Sequence, residues 1–135
     1  MPDGEPGWSN PEITTRTSAR PVSETVERLV AIVAARGLTL FAVIDHSGGA
    51  AAVGLTLRET RVVIFGNPIG GTPVMVASPL AALDLPLRVL VWDDEGQTRV
   101  SYTSPEALAA RYGLSSDMVG NLRAVDTVTD AAVAP

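Results

Sequence analysis

The chain contains no cysteine and no lysine, a single histidine (His46), and only two residues each of tryptophan, tyrosine and phenylalanine. Without cysteine there is no disulfide frame, no thiolate metal site and no cysteine nucleophile, so packing alone must hold the fold. One imidazole among dispersed carboxylates does not close a zinc sphere, and no metal or cofactor is expected. All ten basic residues are arginines scattered along the chain, and the formal charge is -5. Phosphate neutralisation needs a concentrated basic face, so a nucleic-acid partner is not expected. No run approaches the roughly 20 apolar residues that a bilayer span requires. The opening MPDGEPGWSNPE has neither the basic start nor the apolar run of a secretory signal. No membrane partner is expected, and the cytoplasm is the simplest location. No serine sits in the nucleophile-elbow pattern of glycine, any residue, serine, any residue, glycine, which leaves acyl transfer unsupported.

What is present is a 46% hydrophobic content over 135 residues, enough for one domain with an ordinary core. Residues 1–12, rich in proline, glycine and acid, read as a flexible N-terminal tail, in which Trp8 is either an anchor for a partner or, the plainer reading, an incidental exposed aromatic. A single domain is expected over 13–130, with the closing TDAAVAP frayed. Ile13 to Ala19 reads as a strand near a sheet edge. Val26, Leu29, Val30 and Val33 then recur at helical spacing, with Ser23 as N-cap and Gly37 as the stop. Leu38 to Asp45 is apolar on both faces, which predicts an interior strand or one covered by a second subunit. A short helix capped by Asp45 follows, weakened by Gly48 and Gly49.

Val62 to Trp92 is the most informative stretch. Arg61 to Phe65 reads as a buried strand, Gly66 to Gly71 as a turn, and Thr72-Pro73 as the N-cap and first residue of a helix. Pro79 predicts a kink, or a restart capped by Ser78. Leu87 to Trp92 and Thr98 to Tyr102 flank a polar turn and form a hairpin. Ser104-Pro105 opens a helix that ends at Gly113, and Ser116 is placed as the cap of a last one. This order gives an α+β domain with a single mixed β-sheet and helices mainly on one face.

The phrases AVIDH at 42–46, IFGNP at 64–68, GTPVM at 71–75 and ALDLPLRVLVW at 82–92 occur in an order and spacing that resemble the family called domain of unknown function 302, from about Ser23 to Tyr112. The resemblance implies a compact α+β domain of the TATA-binding-protein-like grouping, of bacterial type and homodimeric. It implies no activity and brings no catalytic residues.

Two places carry candidate chemistry. Gly66, Asn67, Gly70, Gly71 and Thr72 deliver the amides of a helix start to a loop free of bulky side chains, which suits a small anionic ligand. The turn lacks a P-loop lysine and a dinucleotide spacing, and a tight structural turn is the plainer reading. Asp45 and His46 put the only imidazole beside a carboxylate, where His46 would serve as an acid or base. The plainer reading is that Asp45 caps the next turn. Arg88 is expected to pair with Asp84, Asp45 or Glu59. The leading functional expectation is a non-enzymatic homodimer that binds a small anionic ligand or a protein partner. The alternatives are a small enzyme acting on an anionic metabolite with His46 as acid or base, and a stress-linked scaffold without ligand.

Overall fold

A computed structural model describes residues 6–135; the first five residues of the expected tail lie outside it. Five strands, β1 (Ile13–Ser18), β2 (Thr39–Asp45), β3 (Thr60–Gly66), β4 (Leu87–Asp94) and β5 (Gln97–Thr103), form one sheet in the order β1-β5-β4-β3-β2. The helices are α1 (Val22–Ala35), α2 (His46–Ala52), α3 (Pro68–Ala77), α4 (Pro105–Tyr112), α5 (Ser116–Val119) and α6 (Ala124–Val133), with 3-10 segments at Pro79–Asp84 and Gly120–Leu122.

Every neighbouring pair of strands is antiparallel. The α+β class therefore stands while the mixed sheet does not: β2 to β5 run as a meander, and β1 returns antiparallel along β5. The β4–β5 hairpin turns through Glu95 and Gly96 at φ +50° and +93°, the mirror-image turn that matches strand twist. Gly37 and Gly113 stand at φ +69° and +64°, just beyond α1 and α4, as the sequence predicts.

Alternation along the strands sends Val63, Phe65, Val89, Val91 and Val100 to one face, where all are fully buried. Val22, Val26, Leu29 and Val33 form the matching stripe of α1, and Val125, Val128 and Ala132 that of α6. Α1 begins at Val22 with Pro21 as its cap residue, so Ser23 is not the N-cap. The hydroxyl that serves this end is Thr25 Oγ1, which bonds Ser18 Oγ at 2.8 Å and donates to the Pro21 carbonyl at 3.0 Å. The last helix likewise starts later than expected: Ser115, without a side-chain capping bond, precedes the four residues of α5, and α6 follows separately.

The C-terminal segment is ordered by packing. Val128, Thr129 and Ala132 are fully buried, and two arginines close the end of α6. Arg28 donates to the carbonyls of Ala131 and Ala132 at 2.9 and 3.2 Å, and Arg20 to that of Ala134 at 2.9 Å. Carbonyls with no intrahelical partner thus receive cations at the negative end of the helix. Fraying, expected from a weak-looking composition, is absent through Val133 for that reason. Thr129 Oγ1 is buried without a hydrogen-bond partner among the described residues. Replacing the unpaired hydroxyl by a methyl group of the same shape removes a desolvation cost, so Thr129→Val should raise stability by about 1 kcal/mol. Urea denaturation of the two proteins measures it.

The strand β2 departs most from expectation, for it is an edge and not interior. Leu40, Phe41, Val43 and Ile44 are 39%, 55%, 42% and 39% exposed. A bulge between Leu40 and Ala42 breaks the simple alternation: Leu40 pairs with Phe65 on the helix side, whereas Ala42 and Ile44 pair with Ile64 and Val62 on the open side.

Candidate functional site

Asn67 and Pro68 start α3 where Thr72 and Pro73 are expected to, leaving Pro73 inside the helix. Both dipeptides satisfy the same local rule, a short polar cap followed by proline. The first prevails because Asn67 Oδ1 accepts the Ile69 amide at 3.0 Å and its carbonyl accepts those of Gly70 and Gly71 at 3.1 and 2.8 Å. Ser78 then ends α3 and begins the 3-10 segment, the restart expected at Pro79. The amides that were to receive an anion are therefore used inside the chain, which removes the main reason for preferring an anionic ligand there.

A concavity nevertheless lies against this turn. A cleft of about 220 Å³ is lined by all five expected residues, Gly66, Asn67, Gly70, Gly71 and Thr72. Its remaining wall comes from Phe41 on β2, Pro68 and Met75 on α3, Leu85 to Leu87, and Asn121, Leu122 and Ala124. Asn121 Nδ2 donates to the Gly70 carbonyl at 3.1 Å, and a Cβ on Gly70 would sit 3.1 Å from the Asn121 carbonyl oxygen. Gly70 is thus glycine because another backbone passes close by. The wall carries no charged side chain. Phe41, Met75, Pro86 and Asn121 are the lining residues that the sequence did not point to. Only Gly70 held a signal of close approach, without naming what approaches.

Asp45 behaves as the cap: its carboxylate accepts from the Gly48 amide at 2.9 Å and the Ser47 hydroxyl at 2.7 Å. These bonds, the Ser47 hydroxyl first and then the Gly48 amide, hold its carboxyl below the usual range. His46 turns away and reaches the open face of the sheet beside Ile44 and Val62. Thr39 pairs with Gly66 and Asp45 with Arg61, so His46 and the Asn67 turn occupy opposite ends of β2–β3, roughly 20 Å apart at about 3.3 Å per residue. A single active site combining an anion held at Gly66 to Thr72 with His46 as acid or base is not assembled.

Asp84 is taken by the Tyr112 hydroxyl and by Arg111 Nη1 at 2.9 Å, which tie the 3-10 segment to α4. The Tyr112 hydrogen bond, chiefly, lowers the Asp84 pKa below its ordinary value. Arg88 forms no ion pair among the described residues, so none of its three expected partners is used. On the helix side, Tyr102 donates to Asp126 Oδ1 at 2.6 Å. Burial, then the hydrogen bond to the Asp126 carboxylate and its charge, push the phenol up to about 12. Because the folded value exceeds the unfolded one near 10, this contribution to stability is complete below pH 10 and is lost as pH rises through about 12. A tyrosinate absorbance titration should show one phenol ionising near 12 in the folded protein and near 10 in denaturant.

Comparison with known proteins agrees with this architecture. The family model "Domain of unknown function DUF302" matches residues 13–132. Two proteins named fluoride-specific ion channel FluC 1 are each 40% identical over 109 residues, 78% of this chain: that of Brucella suis biovar 1 (strain 1330), of which 43% is covered, and that of Brucella abortus biovar 1 (strain 9-941), of which 40% is covered. The chain thus spans about two fifths of the length of these relatives. A crystal structure of an uncharacterized conserved DUF302 protein from Bacillus stearothermophilus superposes with a TM-score of 0.77 at 17% identity, over 92% of this chain and 97% of that one. At that identity the likeness concerns the fold. The family match over nearly the whole folded region, on an α+β sheet of the same architecture, places this chain in the DUF302 family.

Proposed function

We propose that this domain is a non-catalytic binding module that works as a homodimer, with β2 as the seam between copies and the Gly66–Thr72 cleft as its ligand site. The observation that carries the reading is β2 itself, an edge strand whose LFAVI core is exposed and bears no proline or charge to discourage pairing. Natural edges of that kind are covered or blunted. Pairing β2 with its copy about a two-fold axis covers it and continues the sheet. Phe41 belongs both to the seam and to the cleft wall, so the second copy stands beside the ligand.

The cleft favours a small, mainly apolar molecule with a neutral polar group, for which Asn67, Thr72 and Asn121 offer hydrogen bonds. A small anionic ligand, the class suggested by the glycine-rich turn, would have to compete with Asn67 for the amides of Ile69, Gly70 and Gly71. Amide hydrogen exchange tests the seam: β2 amides should exchange more slowly at submillimolar than at micromolar concentration, and equal rates at both would contradict it. A thermal-shift screen with neutral and anionic compounds, repeated on Asn121→Ala, tests the cleft.

A second reading, docking on a protein partner, is supported by a separate feature. Ile69, Val76, Leu80 and Leu83 form an exposed apolar stripe along α3 and the 3-10 segment, within a run of residues 62–83 that holds no charge. The Brucella relatives, being longer than the matched region, supply the kind of covalent neighbour that such a stripe would contact. Among the described residues of this chain, no helix is long and apolar enough to cross a membrane.

A further inference from the structure

The sheet face opposite the helices holds a concavity of about 580 Å³, larger than the cleft at Gly66 to Thr72 and shared with the seam only at Ile44. Its floor is Ile44, Val62, Ile64 and Leu90, one connected apolar surface across three strands. An aromatic wall closes one end. Trp8, from the segment before β1, meets Trp92 edge to face with ring centroids 5.3 Å apart. The pair is held on both sides by cations, Arg99 lying 5.7 Å from the Trp8 ring and Arg58 5.9 Å from that of Trp92. Trp92 Nε1 also donates to Ser101 Oγ at 3.0 Å, so the indole is fixed as a wall. Trp8 is therefore not an incidental exposed aromatic.

Arg88 stands on the same floor with no ion-pair partner among the described residues. The carboxylate whose field it feels, Asp84, is already committed to Tyr112 and Arg111. A guanidinium whose planar fork takes no ion pair among the described residues, set in an apolar depression, is complementary to a carboxylate carried on an apolar body. We infer that the open face binds a medium-chain aliphatic monocarboxylate, its chain along Ile44, Val62, Ile64 and Leu90, its carboxylate on Arg88, and the Trp8–Trp92 pair as the end wall. This site does not depend on the seam at β2 or on the cleft at Gly66 to Thr72, because pairing at the edge leaves the face open.

Both tryptophans of the chain lie at this wall, so intrinsic fluorescence reads the site directly. Titration with octanoate and decanoate, below their micelle concentrations, should change the tryptophan emission saturably, with affinity rising about fourfold per added methylene. Arg88→Gln should weaken decanoate about tenfold while leaving decanol unchanged. Arg88→Glu should abolish decanoate binding and admit decylammonium. Arg88 is exposed, so both variants keep the fold, and far-UV circular dichroism checks that they do. No saturable change with decanoate overturns the proposal, as does equal binding of decanoate to wild type and Arg88→Gln. Binding that survives Arg88→Glu, or that Asn121→Ala abolishes, assigns the ligand to the cleft and also overturns it.

Discussion

Placing lysine at Val43 and Ile44 together should turn a dimer into a monomer without unfolding the chain. The two side chains point to opposite faces of β2, and each is about two-fifths exposed, so the charges reach solvent in the isolated chain. Across a two-fold seam the same substitutions remove apolar contacts from both copies and set like charges against one another. With about 1.5–3 kcal/mol for each fully buried aliphatic side chain, and less for partial burial, the dissociation constant should rise by at least about a hundredfold. Sedimentation velocity measures the association, and thermal denaturation verifies that the fold is retained. Unchanged association of the double variant would remove β2 from the interface.

The two phenylalanines should divide cleanly between stability and assembly. Phe65 is fully buried on the helix side of β3, registered with Leu40 and Leu87. Phe65→Ala should therefore cost about 3–5 kcal/mol, from lost transfer energy together with the cavity left behind. Phe41 is more than half exposed, so Phe41→Ala should cost under about 1 kcal/mol in the monomer. Its effects should appear in dimer dissociation and in ligand affinity at the cleft, which it lines. Urea denaturation of both variants separates the terms. Equal losses of stability would mean that Phe41 is a core residue of the monomer.

The sequence is uninformative about the difference between these rings, since each lies in an apolar run of strand residues. What separates them is strand order, a tertiary fact. Local rules succeeded where a feature is settled within a few residues. The Glu95-Gly96 turn, the Ser104 cap that accepts the Ala107 amide at 3.1 Å, and the left-handed stop at Gly113 all belong to that class. They failed where two local solutions were equally good. Asn67-Pro68 and Thr72-Pro73 both fit a helix start, and the choice shows only in the amides that Asn67 gathers and in the approach of Asn121 to Gly70.

The same limit applies to the site. The glycine-rich half of the cleft was readable, because residues without bulky side chains beside a helix start leave room. The other half comes from Phe41 and from Asn121, far away in sequence, and neither carries a motif. Arg88 was expected to pair with acids that are close in sequence or on neighbouring strands. Asp84 is lost to Tyr112 and Arg111 on α4, a competition that no spacing rule displays. The ordered C-terminus follows similarly from Arg20 and Arg28, which lie about a hundred residues before the carbonyls they close.

The proposed seam requires that a second copy cover the exposed apolar edge at β2. Sedimentation velocity of the unmodified chain over a dilution series is the most direct test. A species of twice the chain mass is expected at submillimolar concentration, dissociating on dilution to micromolar; a single species of the chain mass at every concentration would contradict the seam.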